Sequence, residues 1–418
     1  MNRKRIFYNI FFFIAMAVIV SCDRNGSEPP PKPENDYLVS YKEVNSYPLT
    51  FVKEAFKTLE TQFPDQDTFS DKAKYGIRVY EVAYKTKYKT EDVTASGIVC
   101  VPIADPVDPL PLLSFQNGTI TQHSKAPSLN YNDDQMRIIE SVASFGFVVA
   151  IPDYLGFGKS SDMFHPYLDK ESTVKSIFDF YGAIKEMVSD KYLNLYMGKD
   201  LYLGGYSQGG WAAMALKQEI ESKYASQYTL KGSACGGAPF DITALAEYIT
   251  TQVEYPRPAY IGYLFNSLIK TGSVALSYED FFKPPYAAKI EGLFNGTKKP
   301  DEIDNELTSK IADLFTEDFL QNYKTSEKYT QFRTAIDKNS VKPWKINSPL
   351  FMRHVTWDSY VPVAMSRNMY DALINDLSID ENLVDYNEIP SMITDKHDEG
   401  AVYFGLFAIQ WILEQNGN

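Results

Sequence analysis

Apolar residues fall into two kinds of pattern along this 418-residue chain. Short continuous or alternating runs predict strands. The first two, Arg78–Tyr88 and Val93–Pro102, are close enough to pair as a hairpin. They are followed by Leu110–Gln116, Phe147–Ile151, Asp200–Tyr206, Leu230–Cys235, Leu350–Thr356 and Val384–Ile389. Between these runs apolar residues return at helical spacing, which predicts helices over Met136–Phe145, Val174–Met187, Gly209–Glu221, Val363–Leu377 and Gly400–Gln415. Strands and helices alternating in this way predict an α/β fold, a mostly parallel central sheet with helices on both faces. The opening hairpin predicts an antiparallel edge.

One interval breaks the rhythm. Between Pro239 and Ile346 no strong strand pattern appears, and helices are expected over Tyr260–Lys270, Tyr278–Phe294, Glu302–Phe319 and Ser326–Asp337. A helical block between two sheet strands is expected to be a cap, inserted at about residues 241–346 of one domain spanning 37–418. A domain of that length exceeds a usual single core, which agrees with an insertion. Tyr260, Tyr263, Leu264, Phe265 and Phe282 are candidates for a substrate pocket or for the core of the block itself.

The start of the chain has a different character. Arg3, Lys4 and Arg5 precede a nearly unbroken apolar run, Ile6–Val20. The run is short for a permanent membrane span and fits the apolar core of an export signal. It ends in Ile19-Val20-Ser21-Cys22, which resembles the lipobox of bacterial lipoproteins. That resemblance implies that residues 1–21 are a signal peptide, cleaved before Cys22, and that the Cys22 thiol is lipidated. The chain would then be exported and anchored to a bacterial membrane, on a face the sequence leaves open. Residues 22–36, with Pro29-Pro30-Pro31-Lys32-Pro33, are expected to be an extended tether. The net charge is −13, and it is more negative still without the three basic residues of the leader. An acidic surface argues against nucleic acid as a partner and against electrostatic docking on anionic lipid. Two cysteines remain, Cys100 and Cys235, both in strand-like runs and both expected as buried free thiols. No Cys/His spacing suggests a metal, and no cofactor is expected.

The candidate chemistry begins at Gly205-Tyr206-Ser207-Gln208-Gly209. The bare Gly-x-Ser-x-Gly pattern is common. Here an apolar strand, Leu201–Gly205, leads into it and a helix rich in alanine leaves it, which is the setting of a nucleophile elbow. A serine hydroxyl needs a base to take its proton, and His is suited to that at neutral pH. The four candidates are His123, His165, His354 and His397. In the elbow's usual chain order the acid and then the base follow the serine. His397, after the last strand, is therefore the expected base. The other three are expected to line the pocket or to serve the structure. Asp358, soon after Leu350–Met352, is the expected acid, with Asp385 its rival. A tetrahedral intermediate also needs two backbone N–H donors. One is expected from Gln208 and the other from Asn117 or Gly118, in the loop Gln116–Thr119.

At this point the sequence resembles a family. Asp358-Ser359-Tyr360-Val361-Pro362 is similar to the Asp-x-x-Val-Pro stretch after the seventh strand of many α/β-hydrolases, with Val355 where a glycine is usual. Pro152-Asp153-Tyr154-Leu155-Gly156-Phe157-Gly158-Lys159-Ser160 resembles a stretch of secretory-lipase-like and prolyl-oligopeptidase-like hydrolases. The resemblance covers roughly Arg78–Phe240 and Leu350–Asn418. It implies the α/β-hydrolase fold and a serine esterase that cleaves carboxylic esters, small or polymer-borne, through an acyl-enzyme on Ser207. A serine peptidase of the same superfamily is the alternative within the enzymes, and a non-catalytic glycan- or lipid-binding lipoprotein the alternative outside them.

Overall fold

The computed structural model describes residues 35–63, 68–104, 108–189, 193, 195–394 and 396–417. The expected signal peptide, Cys22 and most of the expected tether lie outside the described residues. Among these residues one nine-stranded sheet is formed by β1 (Leu38–Tyr47), β2 (Ile77–Tyr88), β3 (Glu91–Pro102), β4 (Leu110–Gln116), β5 (Val148–Pro152), β6 (Met197–Tyr206), β7 (Thr229–Gly236), β8 (Leu350–Val355) and β9 (Val384–Ile389). Their spatial order is β1-β2-β3-β5-β4-β6-β7-β8-β9. From β1 through β2 and β3 to β5 the pairing is antiparallel. From β5 onward every neighbour is parallel. The predicted hairpin is β2 and β3, in register from Ile77 opposite Pro102 to Tyr88 opposite Glu91.

The strand pleat explains why the central strands read as unbroken apolar runs. Along β5, Val148 and Ala150 face one hydrophobic cluster while Val149 and Ile151 face the other. Along β6, Leu201 and Leu203 face the first cluster and Tyr202 and Tyr206 the second. Both faces are buried, as a parallel sheet requires. Helices Lys170–Val188 and Gln208–Glu219 contribute to the first cluster. Helices Leu49–Gln62 and His397–Gln415 contribute to the second. The free thiols follow the same rule: Cys235 belongs to one cluster and Cys100 to the other, and both are buried.

Two elements carry no clear pattern in the sequence. Strand β1 buries only its end residues, Leu38 and Tyr47, so its middle has the polarity of an exposed edge. Helix Leu49–Gln62 buries only Val52, Phe56 and Leu59.

The helical insertion leaves and re-enters the sheet layer at one point. The Val341 N–H donates to the Phe240 carbonyl at 2.7 Å, and the Ile242 N–H donates to Ser340 Oγ at 2.9 Å. Inside it, two of the expected long helices are broken. Tyr278–Phe294 is two short helices, Tyr278–Phe281 and Ala287–Leu293, because Pro284 and Pro285 lie between them and lack backbone donors. Glu302–Phe319 is three, Pro300–Asp304, Ile311–Leu314 and Glu317–Asn322. The last begins afresh where Thr316 Oγ1 caps the Phe319 N–H at 3.2 Å. Helix Ile242–Thr251, capped by Asp241, is an addition to those expected. Phe265 anchors the block, with ring centroids of Phe281, Phe282, Phe315, Phe319 and Phe332 all within 5.6 Å.

The chain returns from the insertion over a buried ion pair. Lys217 Nζ lies 2.7 Å from Glu221 Oε1 and donates to the Ser348 carbonyl at 2.8 Å. Glu221 also accepts from Trp344 Nε1 at 2.8 Å and from Ser348 Oγ at 2.6 Å. This cluster fixes the segment that enters β8. Burial lowers the Lys217 pKa, and Glu221 works against that shift. Lys217→Met is expected to leave the Glu221 carboxylate buried without its cation and to cost about 3–5 kcal/mol. Urea unfolding measures it; a loss below ~1 kcal/mol would mean that the pair is not carrying this junction.

Candidate active site

Ser207, Asp358, His397 and Asn117 come from four different connections, all beyond the C-terminal ends of parallel strands, with His397 opening the helix His397–Gln415. Asn117 follows β4, Ser207 follows β6, Asp358 follows β8 and His397 comes after β9. That edge is where open α/β sheets hold their ligands.

The turn at Ser207 is sharp. Its backbone has φ 58° and ψ −124°, a conformation that costs a non-glycine residue about 1–3 kcal/mol. It is held by two hydrogen bonds: Ser207 N–H donates to the Gly236 carbonyl at 2.8 Å, and the Ser207 carbonyl accepts from the Trp211 N–H at 3.0 Å. The neighbouring glycines are required by crowding. A Cβ on Gly205 would overlap the Gly209 carbonyl, and one on Gly209 would overlap the Gln116 carbonyl. Ser207 is thereby carried at the start of helix Gln208–Glu219.

Asp358 and His397 meet. His397 Nδ1 donates to Asp358 Oδ2 at 2.5 Å. The other oxygen, Oδ1, accepts the Tyr360 N–H at 2.8 Å and the Val361 N–H at 2.9 Å. Burial alone would raise the Asp358 pKa, but contacts from His354 and His397 outweigh it and hold the carboxyl well below the usual carboxylate range. The His397 ring lies between two tyrosines, with centroids 5.0 Å from Tyr206 and 5.2 Å from Tyr360. Its Nε2 is buried and has no hydrogen-bond partner among the described residues, so Ser207 Oγ does not bond to it here. Both residues line one cavity of about 510 Å³, together with Asn117, Gly118 and Tyr260. Such bonds are often long before substrate arrives.

The rival acid is elsewhere. Asp385 on β9 pairs with the Arg353 guanidinium at 2.9 and 3.2 Å. His354 is fully buried beneath the site, with Nε2 donating to the Val361 carbonyl and Nδ1 accepting from Ser366 Oγ, each at 2.8 Å. His123 packs edge-on against Phe157 at the insertion boundary.

The stretch Pro152–Ser160 braces the loops around Ser207, a role the sequence pattern does not state. Tyr154, itself at φ 65°, donates its hydroxyl to the Asn117 carbonyl at 3.0 Å. His165 Nδ1 donates to the Leu155 carbonyl at 2.7 Å, so its Nε2 accepts the Gln208 side-chain amide at 3.0 Å. Asp153 is buried and bound by Ser96 Oγ, Ser128 Oγ and the Ser128 N–H.

A second, smaller cavity of about 50 Å³ also touches Ser207 and Tyr260, and runs into the helical insertion. Of the aromatic and aliphatic candidates, Tyr260, Leu264 and Phe265 line it. Tyr263 is instead stacked between Tyr167 and Phe294, each 4.6 Å away, and Phe282 is packed on Phe315.

A family model for secretory lipases matches residues 122–414. The chain belongs to the secretory lipase family. It is a lipase- or esterase-like hydrolase. The match runs through the helical insertion, beyond the two stretches on which the sequence resemblance rests. Solved structures agree in fold. A Legionella pneumophila protein described as a hydrolase aligns with a TM-score of 0.79 at 24% identity, over 91% of this chain and 98% of that one. The rice cell wall degrading esterase LipA from Xanthomonas oryzae aligns with a TM-score of 0.76 at 23% identity, over 92% and 98%. Candida antarctica lipase A in its closed state aligns with a TM-score of 0.62 at 16% identity, over 91% and 82%. No curated protein matches the chain by sequence.

Among the described residues of this secretory lipase, no group of three or more His, Cys, Asp or Glu is placed to hold a metal ion, and no helix is long and apolar enough to cross a membrane. His165 gives the family member a titratable stability term. Burial pushes its pKa down to about 4, whereas an exposed His in the unfolded chain titrates near ~6.5. Below about pH 6.5 the unfolded chain therefore takes up a proton that the folded chain refuses, and stability falls as pH drops towards about 4. His165→Phe is expected to flatten that part of the curve. If urea unfolding at about pH 7 and about pH 4.5 shows the same loss in both proteins, His165 is not the group responsible.

Proposed function

We propose that this secretory lipase hydrolyses carboxylic esters through an acyl-enzyme on Ser207, with His397 as general base and Asp358 orienting it. One observation carries the reading. The Nδ1–H of His397 is committed to Asp358, which leaves the Nε2 lone pair, unpartnered among the described residues, on the wall of the cavity that Ser207 also lines. In the reaction Ser207 Oγ attacks the ester carbonyl carbon and its proton passes to His397 Nε2. The carbonyl oxygen becomes an alkoxide, held by the backbone N–H of Gln208 and that of Asn117 or Gly118. Collapse breaks the C–O bond, and the departing alcohol takes the proton from His397. Water then repeats the sequence on the acyl-enzyme and releases the acid. Asp358 stays ionised throughout and stabilises the imidazolium.

The surroundings support this division of labour. The site is largely buried, which strengthens the electrostatic contacts within it. Tyr154 holds the Asn117 loop and His165 holds the Gln208 side chain, so both sides of the alkoxide pocket are fixed before substrate arrives. The small apolar cavity beside Ser207 suits one hydrophobic arm of an ester, and the larger one accepts the other. The secretory character of the family agrees with export, and Cys22 is assigned as the lipid attachment point.

The test uses purified protein and a panel of p-nitrophenyl esters. Ser207→Ala is expected to lower kcat by about 10⁴-fold or more, and Asp358→Asn by about 10⁴-fold, because the wrong tautomer of His397 is then favoured. Both variants should fold, since neither changes volume much. Equal rates for wild type and Ser207→Ala would refute the mechanism.

A further inference from the structure

Arg257 stands at the start of the insertion helix Pro258–Lys270, and its side chain is largely buried. Two carboxylates of the insertion hold it: Asp301, and Asp304 at 2.8 Å from Nη1. Asp304 also accepts the Ala259 N–H at 2.8 Å, so the guanidinium is tied to the helix start. From there it reaches across to the sheet layer. Nη2 is 3.6 Å from Asp398 Oδ2, and Cζ lies 5.1 Å from the centre of the Tyr360 ring. Asp398 is the residue after His397. Tyr360 is two residues after Asp358, and its ring is one of the two that flank the imidazole. A second insertion residue holds the same loop, since the Tyr255 hydroxyl donates to the Tyr360 carbonyl at 2.9 Å.

We propose that Arg257 is a positioning residue for His397: through Tyr360 and Asp398 it couples the seating of the helical insertion to the orientation and charge environment of the imidazole. This rests on the reading of His397 as the general base. The geometry gives the coupling a route. Tyr206, on one side of the imidazole, is at the end of a central strand. Tyr360, on the other side, belongs to a loop, and Arg257 and Tyr255 hold that loop from the insertion. Without the guanidinium, Tyr360 loses a cation–π partner and the imidazole loses a firm wall against rotation about its bond to Asp358. A ring turned by a fraction of its width misses the serine proton, and displacements of about 1 Å cost up to about 10²-fold in rate.

The charges add a signature that packing alone would not give. The ionisable groups facing the imidazole are Asp358 and Tyr360 of the loop after β8, with His354 behind Asp358, and Tyr206 of β6. Asp398, Arg257, Tyr255 and Tyr260 complete the surroundings, and the Lys396–Glu399 pair is at the same helix start as Asp398. Arg257 is the cation among them that neutralises Asp398, Asp301 and Asp304. Removing it favours the imidazolium, so the acid limb of kcat/KM moves to higher pH. Removing the Asp398 charge does the opposite. Asp398 is well exposed, so that second shift is the smaller.

The experiment compares wild type with Arg257→Met, Arg257→Lys and Asp398→Asn. It uses pH profiles on a short-chain ester, NMR titration of the four histidines and thermal unfolding as a folding control. Arg257→Met is expected to lower kcat about 10- to 100-fold with little change in KM, and to move the His397 titration and the acid limb upward. Arg257→Lys restores the position of the acid limb but not the full kcat, because an ammonium lacks the planar fork. Asp398→Asn, a change on the exposed side, moves the titration downward. If the His397 titration is the same in wild type, Arg257→Met and Asp398→Asn, the coupling is overturned, whatever the ester activity. If the titration moves as stated but wild type hydrolyses no ester, the coupling stands and the esterase reading falls.

Discussion

The arrangement depends on one backbone conformation, Ser207 at φ 58°. A side chain held there costs energy, so the surroundings must hold it from several directions. Gly205, Gly209 and Gly210 let helix Gln208–Glu219 come down onto the ends of β4, β6 and β7 with no Cβ in the way. That approach is what brings the Asn117 loop beside the Gln208 peptide. It also buries Trp211, whose indole donates to the Asn339 carbonyl and so ties the elbow helix to the far end of the insertion. A larger residue at any of the three glycines would push the helix away and release the turn.

Where burial is symmetric, the sequence is plain to read. β4 to β8 are covered on both faces, so their residues form short apolar runs, and the helices between them show helical spacing. Asp358 and His397 could be picked as candidates beside the elbow because the order of these positions along the chain follows from which strand ends they occupy. Physics that is local or one-sided was harder to see. β1 is an edge with a polar middle, and only Leu38 and Tyr47 betray it. In the insertion, helical spacing persists across Pro284-Pro285 and across Thr316, because the same apolar face continues from one short helix into the next. Periodicity reports the face, and prolines and caps decide where the helix stops.

The bracing residues were the least legible. Tyr154 and His165 lie before Ser207 in the chain, in a glycine-rich stretch that the sequence identifies only as a likeness. Their roles arise from hydrogen bonds to Asn117 and Gln208, partners 37 and 43 positions away. His354 shows the same limit from the other side: its position near Asp358 in sequence is obvious, yet its ring is committed to Val361 and Ser366. Neither spacing nor residue type distinguishes a histidine that holds a loop from one that moves a proton. In the proposed mechanism the second ring nitrogen makes that distinction: both nitrogens of His165 and His354 are bonded, whereas His397 Nε2 has no partner among the described residues.

The two buried thiols have a consequence for the life history of the molecule. Cys100 and Cys235 sit on opposite faces of the sheet, each sealed in its own hydrophobic cluster. Burial raises both thiol pKa values, which suppresses the reactive thiolate. The sheet stands between them as a wall, so the folded domain cannot join these two thiols in a crosslink. Folding of this domain therefore has no step that waits on an oxidant, and among its described residues the finished fold offers an oxidising compartment no accessible thiol.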